Sequence, residues 1–172
     1  MDGIGWAASA MAAARRRLEI ATQNLANSSS DGFRRADAHG FLTAAGVRVE
    51  TVTDERQGAL RRTGRSDDRA IVGPGYFVVR DARGSLAHTR AGAFVRGRDG
   101  LYYDDAGRRL IGTHLAAGSS VRRGFLESSN VNSIGEMIDV LAAQRSFETA
   151  QQTISAIDRT RQKADNDVPR LK

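Results

Sequence analysis

The chain has 172 residues, 40% of them hydrophobic and 27% charged, which excludes a disordered tail. Its apolar runs, such as Ala70–Val72 and Tyr76–Val79, fall far short of the roughly 20 residues needed to span a bilayer, and without cysteine it has no disulfide, thiol nucleophile or cysteine-ligated metal. The net charge is +6, and Lys163 and Lys172 are the only lysines. So basic a chain raises nucleic-acid binding as an alternative function. The arginines are spread along the whole chain, however, with few aromatics between them to stack on bases, so solvated arginine faces are the simpler reading.

The first predicted element is a helix over about Gly3 to Ala26. Ile4, Ala7, Met11, Ala14, Leu18, Ala21 and Leu25 recur at alternating spacings of three and four, the seam of a coiled coil. Asp2 is placed to cap its start, and the turn residues Asn27-Ser28-Ser29-Ser30-Asp31-Gly32 end it. A secretory signal would put positive charge before the apolar stretch. Here Asp2 precedes it and Arg15-Arg16-Arg17 follows, so no cleaved signal is expected.

From about Val47 to Val121 the pattern changes to β. Short runs at Ala70–Val72, Tyr76–Arg80, Leu86–Thr89, Ala93–Arg96, Leu101–Tyr103 and Arg109–Ile111 are separated by glycine and Asp-Gly turns, which predicts a small antiparallel sheet of successive hairpins. A second helix follows over about Asn132 to Ala164, with a stripe of Val140, Ala143, Phe147, Ala150, Ile154 and Ile157. Ile134, Met137, Ile138 and Leu141 broaden that stripe at its start, and Ser133 with Glu136 forms a candidate capping box.

A helix of about 30 residues extends about 45 Å, more than the small β region can cover, so its natural partner is the N-terminal helix. The expected fold is α+β: terminal heptad helices paired as a coiled coil, residues 1–35 with 124–172, around a β module over 36–123. An alanine-rich pair of helices is marginal by itself once chain ordering is counted, which points to completion by neighbouring subunits.

Little in the sequence suggests chemistry. His39, His88 and His114 have no metal-ligand spacing, and no Gly-x-Ser-x-Gly elbow frames a nucleophile. Gly73-Pro74-Gly75 lacks the Gly-Lys-Ser/Thr of a phosphate loop, and Asp67-Asp68 and Asp104-Asp105 sit in turns without calcium-loop spacing. No catalytic residue, metal or cofactor is expected.

Several blocks, in order, resemble the flagellar basal-body rod and hook protein family. They are Asn24-Leu25-Ala26-Asn27 with Gly32-Phe33-Arg34-Arg35; Gln57-Gly58-Ala59-Leu60 with Thr63-Gly64; Ala70-Ile71 with Gly75-Tyr76-Phe77-Val78-Val79; and Thr89-Arg90-Ala91-Gly92-Ala93-Phe94. The most specific block runs Gly124-Phe125-Leu126-Glu127-Ser128-Ser129-Asn130-Val131-Asn132, then Glu136-Met137 and Gln144-Arg145-Ser146-Phe147-Glu148.

The longer blocks are similar to the proximal- and distal-rod type. The resemblance implies a structural subunit of the basal-body rod, not an enzyme. Such a subunit self-assembles helically into the drive shaft between motor and hook, with its terminal helices in an inner tube. The implied partners are further copies, other axial proteins, the type III export apparatus and surrounding ring proteins. No nucleic acid and no direct membrane insertion are implied. The implied location is the periplasm-spanning rod, reached without a cleaved signal. The implied assembly positions are Asn24, Leu25, Asn27, Gly32, Phe33, Gln57, Gly58, Leu60, Thr63, Gly64, Leu126, Glu127, Ser129, Asn130, Val131, Asn132, Glu136, Met137, Gln144, Arg145 and Phe147, with the seam positions Ile4, Met11, Leu18, Val140, Ile154 and Ile157. Gly32 and Gly64 are expected to serve turn conformations, and Asn24, Asn27 and Asn130 to satisfy main-chain groups. The family usually carries a longer β insertion before Gly124, where this chain has only residues 113–123.

Overall fold

The structure is a computed structural model that describes residues 3–167. The element order is α1 (Gly3–Ala26), β1 (Ala36–Thr43), β2 (Gly46–Thr53), β3 (Leu60–Arg62), β4 (Arg69–Val72), β5 (Gly75–Arg80), β6 (Leu86–Thr89), β7 (Val95–Arg96), β8 (Tyr102–Tyr103), β9 (Arg109–Leu115), β10 (Ser120–Arg123), β11 (Phe125–Glu127) and α2 (Ser133–Asp167). The fold is α+β. Two compact units form: residues 1–25, 36–53 and 133–172 make unit 1, and residues 26–35 and 54–132 make unit 2.

Unit 1 contains both long helices and the β1–β2 hairpin. Alanine, the best helix former, dominates the first half of α1. The expected cap at Asp2 lies outside the described residues. The hairpin pairs Ala36 with Thr53 through to Thr43 with Gly46. It runs along α1: the Val47 amide donates to Ser9 Oγ at 3.1 Å, Arg16 Nη2 donates to Thr51 Oγ1 at 3.2 Å, and the Arg17 guanidinium lies against Gly40.

The covered face of α1 therefore exceeds the single seam expected from sequence. Ala7, Ala14 and Ala21 of that seam are buried, and so are Ala13, Ile20 and Asn24 beside it. On α2 the cover is narrower. Glu136, Ala143 and Ala150 are buried, and Val140, Phe147, Ile154 and Ile157 are half-buried, a stripe with alternating spacings of four and three. Ile134, Met137, Ile138 and Leu141 do not broaden that stripe. They are 72, 52, 62 and 57% exposed, because they project from the opposite side of the helix, which nothing in unit 1 covers.

Unit 2 holds a five-stranded antiparallel sheet in the order β6-β5-β9-β8-β7, with two smaller antiparallel pairs, β10 with β4 and β11 with β3. Among the described residues four separate sheets thus replace the one sheet expected. The smaller pairs join strands far apart in sequence, which no local turn signal announces. Ile71, Phe77, Val79 and Phe94 form the core, each fully buried. Phe77 and Phe94 meet edge to face with ring centres 5.2 Å apart, the geometry aromatic quadrupoles prefer. Each such burial is worth roughly 1.5–3 kcal/mol.

Candidate assembly surfaces and the motif residues

The motif residues fall into three groups. In unit 1, Asn24 is fully buried at the junction of α1, β1 and α2. Its Nδ2 donates to the Ala36 carbonyl at 2.8 Å and to Glu136 Oε2 at 3.1 Å, while the Ala36 amide donates to its Oδ1 at 2.9 Å. One side chain thus reproduces both bonds of a strand pair and starts the hairpin. Glu136, expected in a capping box, accepts the hydrogen bond from Asn24 Nδ2. At the far end of α1, a Cβ on Gly3 would lie 3.5 Å from Ile157 Cδ1, so the helices meet at Asn24–Glu136 and at Gly3–Ile157. The seam positions Ile4, Met11 and Leu18 are half-buried, as is Leu25.

In unit 2, Asn130 bonds four main-chain groups and so ties its own segment to two others, 33–35 and 54–56. Its Oδ1 accepts from the Arg35 amide at 2.7 Å, its amide donates to the Phe33 carbonyl at 3.4 Å, and its Nδ2 donates to the carbonyls of Asp54 and Arg56 at 3.0 and 2.9 Å. Asn27 closes its turn by accepting from the Ser30 amide at 3.1 Å. Gln57 works the same way: Nε2 donates to the Ile71 carbonyl at 2.6 Å and Oε1 accepts from the Gly73 amide at 3.1 Å. The Thr63 amide donates to the Gly124 carbonyl at 2.9 Å, and Ser129 Oγ accepts from the Val131 amide at 3.2 Å.

The third group surrounds Glu127, whose side chain is 2% exposed. Arg90 Nε and Nη2 grip its carboxylate at 2.7 and 2.6 Å, the Gly58 amide donates to it at 3.2 Å, and Arg34 Nη2 stands 3.7 Å away. Arg90 also donates to the carbonyls of Gly73, Gly75 and Ile71. Every face of the ion pair is therefore hydrogen-bonded, the condition under which a buried charge is tolerated. The Gly32 amide donates to the Glu127 carbonyl at 2.6 Å. Gly32 and Gly64 have φ of 69° and 78°, and a Cβ on Gly32 would collide with the main chain of Arg90 and Ala91. Leu126 is buried, Leu60 opposite Glu127 is half-buried, and a Cβ on Gly58 would strike the Ser128 carbonyl.

Apart from Gln57 and Gly64, which are exposed, these motif residues build the two units from inside. Of the others, Val131 and Phe147 are half-buried, whereas Asn132, Met137, Gln144 and Arg145 are exposed. Sequence reasoning overlooked Arg90. Its signal was a lone charge inside the Thr89-to-Phe94 block.

His88 and His114 are not isolated in space: their rings lie on the two faces of Tyr76, with centres 4.0 and 4.9 Å away. Asp104 caps its own turn, accepting from the amides of Ala106 and Arg108 and from Arg108 Nε. Among the described residues no three metal-ligating side chains cluster, and no described helix is long and apolar enough to cross a membrane. Charge divides unevenly. Unit 1 has ten Lys and Arg against ten Asp and Glu; unit 2 has sixteen Arg against ten, and so carries the whole net charge.

Three family models match in chain order. Residues 4–34 match the flagella basal body rod protein family, residues 70–140 the D1 domain of the flagellar hook protein FlgE/F/G family, and residues 122–167 the C-terminal region of the flagellar basal body rod FlgEFG family. The chain is 35% identical over 149 residues to the flagellar hook protein FlgE of Brucella abortus, covering 80% of this chain and 37% of that protein. The FlgE of Rhizobium meliloti is 33% identical over 138 residues, with 72% and 34% covered. The chain thus spans little more than a third of these hook proteins' length. The flagellar basal-body rod protein FlgG of Agrobacterium fabrum is 24% identical over 251 residues, with 92% and 96% covered. That alignment is longer than the 172-residue chain, so it carries gaps in this chain. With matches at both helical ends and through the strands between them, the chain belongs to the flagellar basal-body rod and hook protein family.

Proposed function

We propose that the chain is a structural subunit of the flagellar axis, of the basal-body rod type, that polymerises helically to transmit torque from motor to hook. The observation that carries this reading is the uncovered apolar face of α2. Ile134, Met137, Ile138 and Leu141 stand more than half exposed on one side of a helix whose other side is already packed. Surface of that kind marks an interaction site, and it lies in a helix matched to the rod C-terminal family. In this reading α1 and α2 pair as a coiled coil in the inner tube. The partners are further copies and other axial proteins. Export takes place through the flagellar apparatus without a cleaved signal, and the subunit resides in the basal body.

A second placement, in the hook, is favoured by the higher identity to hook proteins, 35% against 24% for the rod protein. Mass spectrometry of separated basal bodies and hooks from the source cells distinguishes the two, since the chain is expected in the basal-body fraction. Deleting residues 1–27 is expected to abolish polymerisation while unit 2 stays folded. Polymers built by the truncated chain would overturn the reading.

A further inference from the structure

Unit 1 has a second surface that its own fold does not fill. Beside α1, a groove of about 390 Å³ is lined by Ala7, Ala10, Arg145, Ser146, Thr149, Ala150 and Thr153. Its hydroxyls are already spent within α2. Ser146 donates to the Ala142 carbonyl, Thr149 to the Arg145 carbonyl and Thr153 to the Thr149 carbonyl, each at 2.9 Å. What remains facing the groove is methyl groups, satisfied oxygens and the stem of Arg145, an exposed residue that can keep its guanidinium in solvent, so an apolar side chain entering it strands no hydrogen-bonding group. A dry cavity of about 150 Å³ takes one benzene, so this groove takes about two large aliphatic side chains.

The same helix offers such side chains on its uncovered face at Ile134, Met137, Ile138 and Leu141. They cannot reach their own groove, because the patch is centred about eleven residues, or about 17 Å of helix, nearer the start of α2. The occupant must therefore come from another molecule. We infer that the groove of one copy receives the Ile138 and Leu141 side of the next copy, with neighbours displaced by about 17 Å along the helix axis. The inference rests on the assembly reading above and adds the partner surfaces and their register.

Two further observations favour a second copy as the occupant. Unit 1 has equal numbers of basic and acidic residues, so copies approach through it without net repulsion, whereas unit 2 carries six excess positive charges. The patch and the groove are also different surfaces of one chain. Their contact is heterologous, so it repeats from copy to copy and does not close on a pair. Patch against patch would leave the groove open and stop at two.

The absence of native cysteine makes the test direct. Full-length Ile138→Cys, Thr149→Cys and the double variant are polymerised and treated with a short bis-maleimide. The double variant is expected to give a ladder of linked chains, and each single variant only monomer. Linked dimers from Ile138→Cys alone would show patch against patch and overturn the inference. Polymers of the double variant that yield no ladder would overturn it while leaving the assembly reading intact. If the unsubstituted chain forms no polymer and is absent from flagella, the assembly reading fails, and this inference with it. As an independent measure, Leu141→Glu is expected to cut polymer yield at least tenfold without moving the monomer's melting temperature. Unchanged yield would count against the register.

Discussion

The two units solve the problem of burial differently. Unit 2 encloses Ile71, Phe77, Val79 and Phe94 completely and seals an arginine–glutamate pair beside them. Unit 1 buries mainly alanine, at positions 7, 13, 14, 21, 143 and 150, and Ile20 is its only buried large aliphatic residue among those described. Alanine contributes roughly one methyl's worth of hydrophobic free energy, about 0.8 kcal/mol, against two or three times that for a larger side chain. Unit 2 therefore has the resources of an independent domain. Unit 1 keeps its large apolar groups on the outside, where a neighbour can cover them.

That contrast can be broken with two built-in probes, because the only tryptophan, Trp6, is in unit 1 and all three tyrosines, 76, 102 and 103, are in unit 2. The largest effect is expected from Glu127→Ala. It leaves Arg90 charged and buried, and should destabilise unit 2 by about 3–5 kcal/mol. In a denaturant titration the tyrosine transition should shift while the Trp6 transition stays. Coincident shifts would mean that the units unfold as one.

Asn24→Ala comes next, with about 1–3 kcal/mol expected from the Ala36 amide and carbonyl that lose their Asn24 partner. Here the Trp6 transition should move instead, and the Ala36 amide should exchange faster. Ile138→Ser should be nearly silent in the monomer, within about 0.5 kcal/mol, since it alters an exposed position. A larger loss would show that the face is covered within the monomer and would remove the contrast.

The smallest effect concerns Asp54 in unit 2. A side-chain hydrogen bond from Arg56, helped by the Arg56 amide, lowers its pKa from 3.8 to about 2. A carboxylate with a depressed folded pKa contributes stability that is complete above pH 3.8 and lost as pH falls through about 2. The Arg56 side chain is 82% exposed, so solvent screens the pair and the loss should be small. Carbonyl NMR should place the midpoint near 2, and Arg56→Ala should raise it toward the ordinary value.

Both helices were legible because a heptad stripe is periodic, and α2 ends within a few residues of its expected limit. The strands of the five-stranded sheet were legible in outline from their turns. β1 was not, because Ala36-Asp37-Ala38-His39-Gly40 has little strand character and owes its pairing to the Asn24 side chain. β3 and β10 are short, arginine-rich and paired with strands distant in sequence. Periodicity located the apolar face at Ile134 to Leu141 but could not say whether anything covers it. The Arg90–Glu127 pair, 37 residues apart, follows no period at all. The groove escaped notice because serine and threonine on a helix read as solvated until their carbonyl partners are seen.

The chain passes between the units at 25/26, 35/36, 53/54 and 132/133. Consider a chain delivered N-terminus first, from a ribosome or through a narrow channel. Everything unit 2 needs has emerged by residue 132, while α1 must wait for Glu136, 112 residues after Asn24. Closing so long a loop is slow as well as late. In the proposed assembly, stickiness is therefore clocked to completion: the last element to arrive carries both the patch and most of the groove, and an unfinished chain lacks the surfaces proposed to grip a neighbour.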